Sequence, residues 1–284
     1  MAKADILSTR RDRCSCIVIF VHTGPFFVLN RPFSCVSHTC NFFPFSERCT
    51  NTVRSRLSPF RTSKIHQDQL NTEMADLHQR GFRLATHGNG DRAIGSILDA
   101  YAHCLQVAPR KDHRHRIEHV QTATVEDLHR MQELGVAASF FINHVYYWGD
   151  RHRRLFLGPE RASRINPLRD AVERKILFTL HSDCPITPIS PLFSVWAAVN
   201  RVTRDGEVLG APQRIDVERA LKAMTIDGAR LNFDEQHAGS IEAGKRADFV
   251  VLGADPTKVH PLEIRTIPIQ STWIEGRVVF GPGV

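Results

Sequence analysis

The stretch RLATHGNGDRA (83–93) decides how this chain is read: an apolar run ends in His87, a Gly-rich turn follows, and Asp91 stands where a helix would begin. Two later stretches repeat the form. HRIEHVQ (115–121) ends its run at His119, and ILFTLHSDCP (176–185) ends at Asp183. His87 and His119 are 32 residues apart and His119 and Asp183 are 64 apart, one and two multiples of the same step. A strand with its return helix takes about 30 residues, so the interval is that of a parallel α/β chain. Side chains at the ends of consecutive parallel strands converge on one rim.

Working outward, Leu70, Met74 and Leu77 fall at i, i+4 and i+7 and predict an amphipathic helix that starts after Ile65 and ends near Gly81. The strand FRLAT follows. Asp91 is the expected cap of a helix with the apolar stripe Ile94, Ile97, Leu98, Tyr101 and Leu105, and strand HRIEHV comes next. Thr124 to Asp127 has the form of a helix start, with Leu128, Met131 and Leu134 buried and Gly135 as the stop before strand VAASFF. A helix over 166–174 leads to strand KILFTL; Ser190 and Pro191 open a helix through Arg201, and Asp216 caps a last long helix to about Leu231.

After Asn232, GSIEAGKRADFVVLGADP and IQSTWIEGRVVF predict short strands of a small β unit beside the main domain. Four strands near 83, 115, 136 and 176, with helices between them, make the fold class α/β with a parallel sheet. The first four units of a closed eight-fold barrel would need roughly 100 residues or more, and the 64 residues upstream have neither the length nor the period. If the plan is a barrel, the chain carries its second half. Strands 83–87 and 176–181 would then be open edges, through which copies of the chain are expected to pair.

The formal charge of +7 is concentrated upstream. Residues 1–64 hold ten Lys or Arg against three Asp or Glu, leaving 27 of each sign in residues 65–284. The globular part is neutral, and the basic segment's aromatics are Phe in apolar clusters rather than interleaved with Arg, so nucleic-acid binding is not expected. Residues 1–64 form an irregular, basic, Cys/Phe/Ser-rich segment with no sustained period beyond short apolar runs at 17–21 and 26–29, and are expected to be unstructured. Five of the seven Cys lie there, but no paired C-x2-C spacing marks a structural metal knuckle. Cys104 and Cys184 stand alone, which suits a reducing, cytoplasmic compartment. CIVIFVHTGPFFVL (16–29) imitates a signal peptide, but His22, Gly24 and Pro25 interrupt it and export is not expected. The chain has no apolar run near the roughly 20 residues of a membrane span.

Each candidate ligand has a plainer alternative. His87 could bond its own loop or cap the next helix, His119 has the same options, and Asp183 could be an N-terminal helix cap. Glu118 alternates to the face opposite His119. Together the three form one coherent arrangement, because two imidazoles and a carboxylate suit a divalent ion such as zinc and leave room for water. The sequence contains no G-x-S-x-G elbow, P-loop or dinucleotide fingerprint to compete with that reading.

THGNGDRAI, HRIEHVQ, LHSDCPI, ALKAMTIDGAR and GSIEAGKRADFVVL, in this order, resemble the amidohydrolase superfamily, specifically the family 3 branch that includes N-substituted formamide deformylases. The resemblance runs from about Ile65 to Val279. It implies the C-terminal half of a metal-dependent-hydrolase-type (β/α)8 TIM barrel over 65–232, and a remnant of a small β-sandwich over 233–284. It further implies that His87, His119 and Asp183 bind a divalent metal, with zinc expected, and that Asp183 is the general base. The implied activity is hydrolysis of carbon–nitrogen bonds, other than peptide bonds, in small amides or cyclic amides. His181 matches a histidine of some branch members, shares the face of Asp183 along an alternating strand, and is a candidate substrate contact.

The chain departs from the family pattern in two places. The family's H-x-H pair after the first strand and its bridging carboxylated Lys or acidic residue after the fourth have no counterpart here. The only H-x-H, His113-Arg114-His115, enters its strand from the other end and reads as a solvated strand start. The expectation is therefore an incomplete copy, with a catalytically inactive truncated or degenerate paralogue as the alternative.

Overall fold

A computed structural model describes residues 66–282 and, before them, the backbone of two strands, β1 (Cys16–Phe20) and β2 (Val28–Leu29). These strands fall on the two short apolar runs of the basic segment. Its cysteine pattern, its signal-like stretch as a whole, and His22 and His38 lie outside the described residues.

Next come α1 (Gln67–Gln79), β3 (Arg83–Gly88), α2 (Asp91–Val107), β4 (Arg116–His119), α3 (Val125–Leu134) and β5 (Ala137–Phe140). After them the chain forms α4 (His144–Arg151), α5 (Gly158–Ser163), α6 (Leu168–Glu173), β6 (Phe178–Leu180), α7 (Pro191–Asn200), α8 (Val217–Met224) and α9 (Ile226–Leu231). β7 (Phe249–Leu252), β8 (Ile269–Ile274) and β9 (Arg277–Phe280) make a separate antiparallel sheet.

The main sheet runs β2-β1-β3-β4-β5-β6, with β3 to β6 parallel neighbours as the 32-residue step predicts. The expected open edge at 83–87 is closed. β1 pairs in parallel along it, from Cys16 opposite Arg83 to Phe20 opposite His87, and supplies partners for its backbone groups. The expectation of an unstructured segment 1–64 therefore does not hold for these two strands.

The apolar stripes bury as their spacing dictates: Leu70, Met74 and Leu77 from α1, and Ile94, Ile97, Leu98 and Tyr101 from α2. α3 opens on a capping box between Thr124 and Asp127 and stops at Gly135 in the left-handed region, φ 67°. Gly90 rather than Asp91 is the cap of α2, and Ser190 caps α7 by position without a side-chain bond. The long helix expected from Asp216 breaks at Thr225 into α8 and α9. Residues 142–165, to which the sequence assigns no element, form α4, a π-helical turn at His152–Phe156, and α5.

Register divides the sheet into two faces. Thr86, Ile117, Ala138 and Phe178 lie side by side, and the Tyr101 hydroxyl of α2 meets the Thr86 hydroxyl at 2.8 Å, so this face is covered by helices. His87, Glu118, Ser139 and Thr179 lie side by side on the other face. Gly88 lets the helix layer close in on the end of β3: a Cβ there would stand 2.7 Å from Ile117 Cγ2 and 3.0 Å from Ile97 Cδ1.

His113 and His115 are buried, not a solvated strand start. Their rings are polar but fully partnered. Leu84 N–H donates to His115 Nδ1 (3.0 Å), His115 Nε2 meets His78 Nδ1 (2.8 Å), and His113 takes the His115 N–H (2.9 Å) and meets Leu134 O (2.8 Å). The β unit is tied back by an Arg114–Glu235 ion pair at 2.7 Å, with the same guanidinium 3.9 Å above the Phe233 ring. Among the described residues no helix is long and apolar enough to cross a membrane.

Candidate metal site

His87 lies in β3, His119 ends β4, and His181 and Asp183 follow β6, so all four stand at the C-terminal rim of parallel strands. Alternation alone would send His119 to the helix side with Ile117. The backbone overrides it. His119 has φ 75° and Val120 φ 48°, which ends the strand and turns the ring across the rim. Asp183 is also left-handed, with φ 52°. Such conformations cost about 1–3 kcal/mol each for non-glycine residues and persist where the surroundings enforce them.

His119 Nδ1 lies 3.1 Å from His181 Nε2. One ligand atom each from His119, His181 and Asp183 fall within 4.8 Å of one another. Two nitrogens at about 2.0–2.1 Å from one tetrahedral zinc would be roughly 3.3 Å apart, so the spacing fits an ion between them. His87 is outside that group of three, although its ring meets the edge of His119 with centroids 4.5 Å apart, and its Nε2 is 3.4 Å from the Asn89 amide. The structure thus gathers His181 with His119 and Asp183 and stands His87 beside them.

Burial, with His181 close by, pushes the His119 imidazole down to about 3. Burial likewise lowers His181, to about 4, against the opposing pull of Glu118. Both rings are neutral at ordinary pH, the form that ligates a metal. Burial, followed by the neighbouring Glu118 charge, pushes Asp183 up to about 6. Among the described residues no Lys or Arg pairs with Asp183, and a carboxylate so placed is relieved by a cation. Two neutral imidazoles and a desolvated carboxylate form a donor set that fits a divalent metal.

Glu118 does not turn away from the site. Register sets it between His87 and Ser139 on the site's face. Burial by itself would raise its carboxyl, but the Arg116 guanidinium, together with His181 and Ser139, brings it down to about 2. The clue available in sequence was the pairing of two strands that each end in a histidine; the bend at His119 hid it. Ser139, whose hydroxyl lies 2.8 Å from His181 Nδ1, carried no sequence signal.

Phe141 forms a wall, stacked on His181 at 5.4 Å and close to His119 and His144. His144, held well below its usual range by burial and by His152, lies tilted against Trp148 with centroids 4.7 Å apart. The fully buried Asn143 donates to the Thr187 hydroxyl (2.9 Å) and accepts from Ser194 (3.0 Å), while Thr187 bonds Ser182 O, so the loop bearing Asp183 is clamped from the end of β5.

A sequence profile of the amidohydrolase family matches residues 36–280. The chain belongs to this family. Among curated relatives of this amidohydrolase chain, N-substituted formamide deformylase of Arthrobacter pascens is 31% identical over 209 residues, which cover 72% of this chain and 38% of that protein. Protein LONG AFTER FAR-RED 3 of Arabidopsis thaliana is 32% identical over 202 residues, covering 70% and 34% respectively. A solved structure, an uncharacterized metal-dependent hydrolase from Pyrococcus furiosus, is similar with a TM-score of 0.58 and 26% identity over 69% of this chain and 39% of its own. The amidohydrolase chain spans well under half the length of each of these three proteins.

Proposed function

We propose that this amidohydrolase chain forms part of a metal-dependent hydrolase of carbon–nitrogen bonds, other than peptide bonds, in small amides or cyclic amides. Its parallel sheet is proposed as part of a (β/α)8 barrel, with β7 to β9 belonging to a companion β-sandwich. The reading is carried by the convergence of His119, His181 and Asp183, with ligand atoms within 4.8 Å at the rim of parallel strands. In barrels this rim is where chemistry is assembled. One relative, the N-substituted formamide deformylase, supports an amide substrate.

The proposed ligands are His119, His181 and Asp183, with His87 as a further one beside His119. Zinc is the proposed ion, because it suits imidazole and carboxylate together and can expand to five ligands, which leaves a position open with His87 bound as well. Once bound, such an ion polarises a carbonyl and brings the pKa of water towards roughly 7. The Asp183 carboxylate oxygen not taken up by the ion can accept a proton and return it to the leaving nitrogen. Phe141, stacked on His181 with Trp148 behind it, is the proposed apolar wall for the substrate.

Metal analysis of the purified chain after exchange against zinc tests this. The parent is expected to retain stoichiometric zinc and to release amine from simple amides. His119→Ala, His181→Ala and Asp183→Ala are expected to lose both, and His87→Ala to bind more weakly. A parent that holds no zinc would overturn the reading.

A further inference from the structure

On the face beneath the three proposed ligands runs a line of polar side chains with no assigned part in metal binding. The Arg116 guanidinium, buried at 6% exposure, pairs with the Glu118 carboxylate. Glu118 lies directly across from Ser139 in the β4–β5 register, and the Ser139 hydroxyl is among the groups that hold its carboxyl down. Ser139 Oγ then meets His181 Nδ1 at 2.8 Å, and His181 Nε2 faces His119 Nδ1 at 3.1 Å.

The line has a direction. Glu118, ion-paired with Arg116, can only accept, so the Ser139 hydroxyl hydrogen points to it. What remains towards His181 is the oxygen's lone pair. His181 Nδ1 must donate to it, and a neutral imidazole has only one N–H. Nε2 is therefore bare, and it is this bare nitrogen that faces His119 and the position between the ligands.

We propose that Ser139 and Glu118 are positioning residues that lock His181 in its Nδ1–H tautomer and thereby make its Nε2 a metal ligand rather than a substrate contact. Arg116 holds Glu118 in the accepting state. The inference rests on the metal reading above and supplies what that reading lacks, a reason why a histidine outside the 32-residue series joins the set. Hydrogen bonds to the far nitrogen of a ligating imidazole commonly fix both its orientation and which nitrogen is free.

Nitrogen-15 labelling of the histidines in the full chain, read by long-range proton–nitrogen correlation, reports the tautomer without metal; zinc titration of the same samples reports affinity. The His181 signal is assigned by its disappearance in His181→Gln. The parent is expected to show His181 protonated at Nδ1. Ser139→Ala is expected to move the proton to Nε2, where it donates to His119, and to weaken zinc binding by about 10- to 100-fold, the usual effect of losing such a partner. Ser139→Thr keeps the hydroxyl and is expected to restore both. Glu118→Gln leaves Arg116 without its counter-charge, so Ser139→Ala is the primary variant because it leaves that pair intact.

A parent protonated at Nε2, or Ser139→Ala with unchanged tautomer and unchanged zinc affinity, would overturn the lock. A parent with the Nδ1–H form that takes up no zinc would support the lock and overturn the metal reading, so the two failures are told apart.

Discussion

His115 illustrates what a single buried imidazole contributes. Leu84 N–H points at its Nδ1, so its proton must sit on Nε2 and be given to His78, which in turn bonds Ala108 O. A second proton would face the Leu84 donor. Burial first, then the neighbouring His113 and His78, hold His115 down to about 2. In an unfolded chain the same group titrates near roughly 6.5. Its contribution is therefore complete above that pH and is lost as the pH falls towards about 2, because only the unfolded chain takes up the proton. The expected slope from this one site approaches about 1.4 kcal/mol per pH unit below the unfolded value. Urea midpoints of the parent at pH 7, 6 and 5 should fall more steeply than those of His115→Gln; equal slopes would contradict the assignment. Nothing in HRHRIEH distinguishes a buried imidazole from a solvated one, because the partners come from α1, β3 and α3. His119 and Glu118 escaped for a related reason. Alternation holds only while φ stays extended, and His119 departs from it.

Elements with a clear period were legible: α1, α2 and α3 and strands β3 to β6 follow their apolar spacing, and the 32-residue step follows from the length a helix needs to return along a strand. α4, the π turn and α5 were not, because pieces of 8, 5 and 6 residues hold too few turns to build a period. Yet this stretch begins with Asn143, which clamps the Asp183 loop to α7. Asn143→Ala removes the acceptor of the buried Ser194 hydroxyl and a donor to Thr187, at an expected cost of about 1–3 kcal/mol. Thr187 keeps its bond to Ser182 O, so the loop should loosen rather than detach. A lowered melting temperature together with weaker zinc retention is expected. Unchanged zinc affinity in a destabilised variant would mean that Asp183 is held by other contacts.

At the scale of the whole molecule, neither of the two edges expected to be open is bare. β1 covers β3, and β6, which among the described residues pairs with β5 alone, is packed beside α8 and α9, with the Arg219 guanidinium 3.9 Å above the Phe178 ring. Ala138 N–H bonds Leu177 O and His181 N–H bonds Phe140 O, so by alternation the backbone groups of Phe178 and Leu180 face away from β5, where both residues are buried. The exposed apolar side chains are on the small sheet instead: Val250, Val251, Ile269, Ile274, Val279 and Phe280. Exposed apolar side chains on a small sheet favour association with like surfaces. We expect the chain to self-associate, with a weight-average mass in sedimentation that rises with concentration and changes little with salt, because this surface does not work through charge. Val251→Glu with Ile274→Lys should lower the mass. An unchanged mass, or a parent monomeric at every concentration, would mean that the small sheet does not drive association.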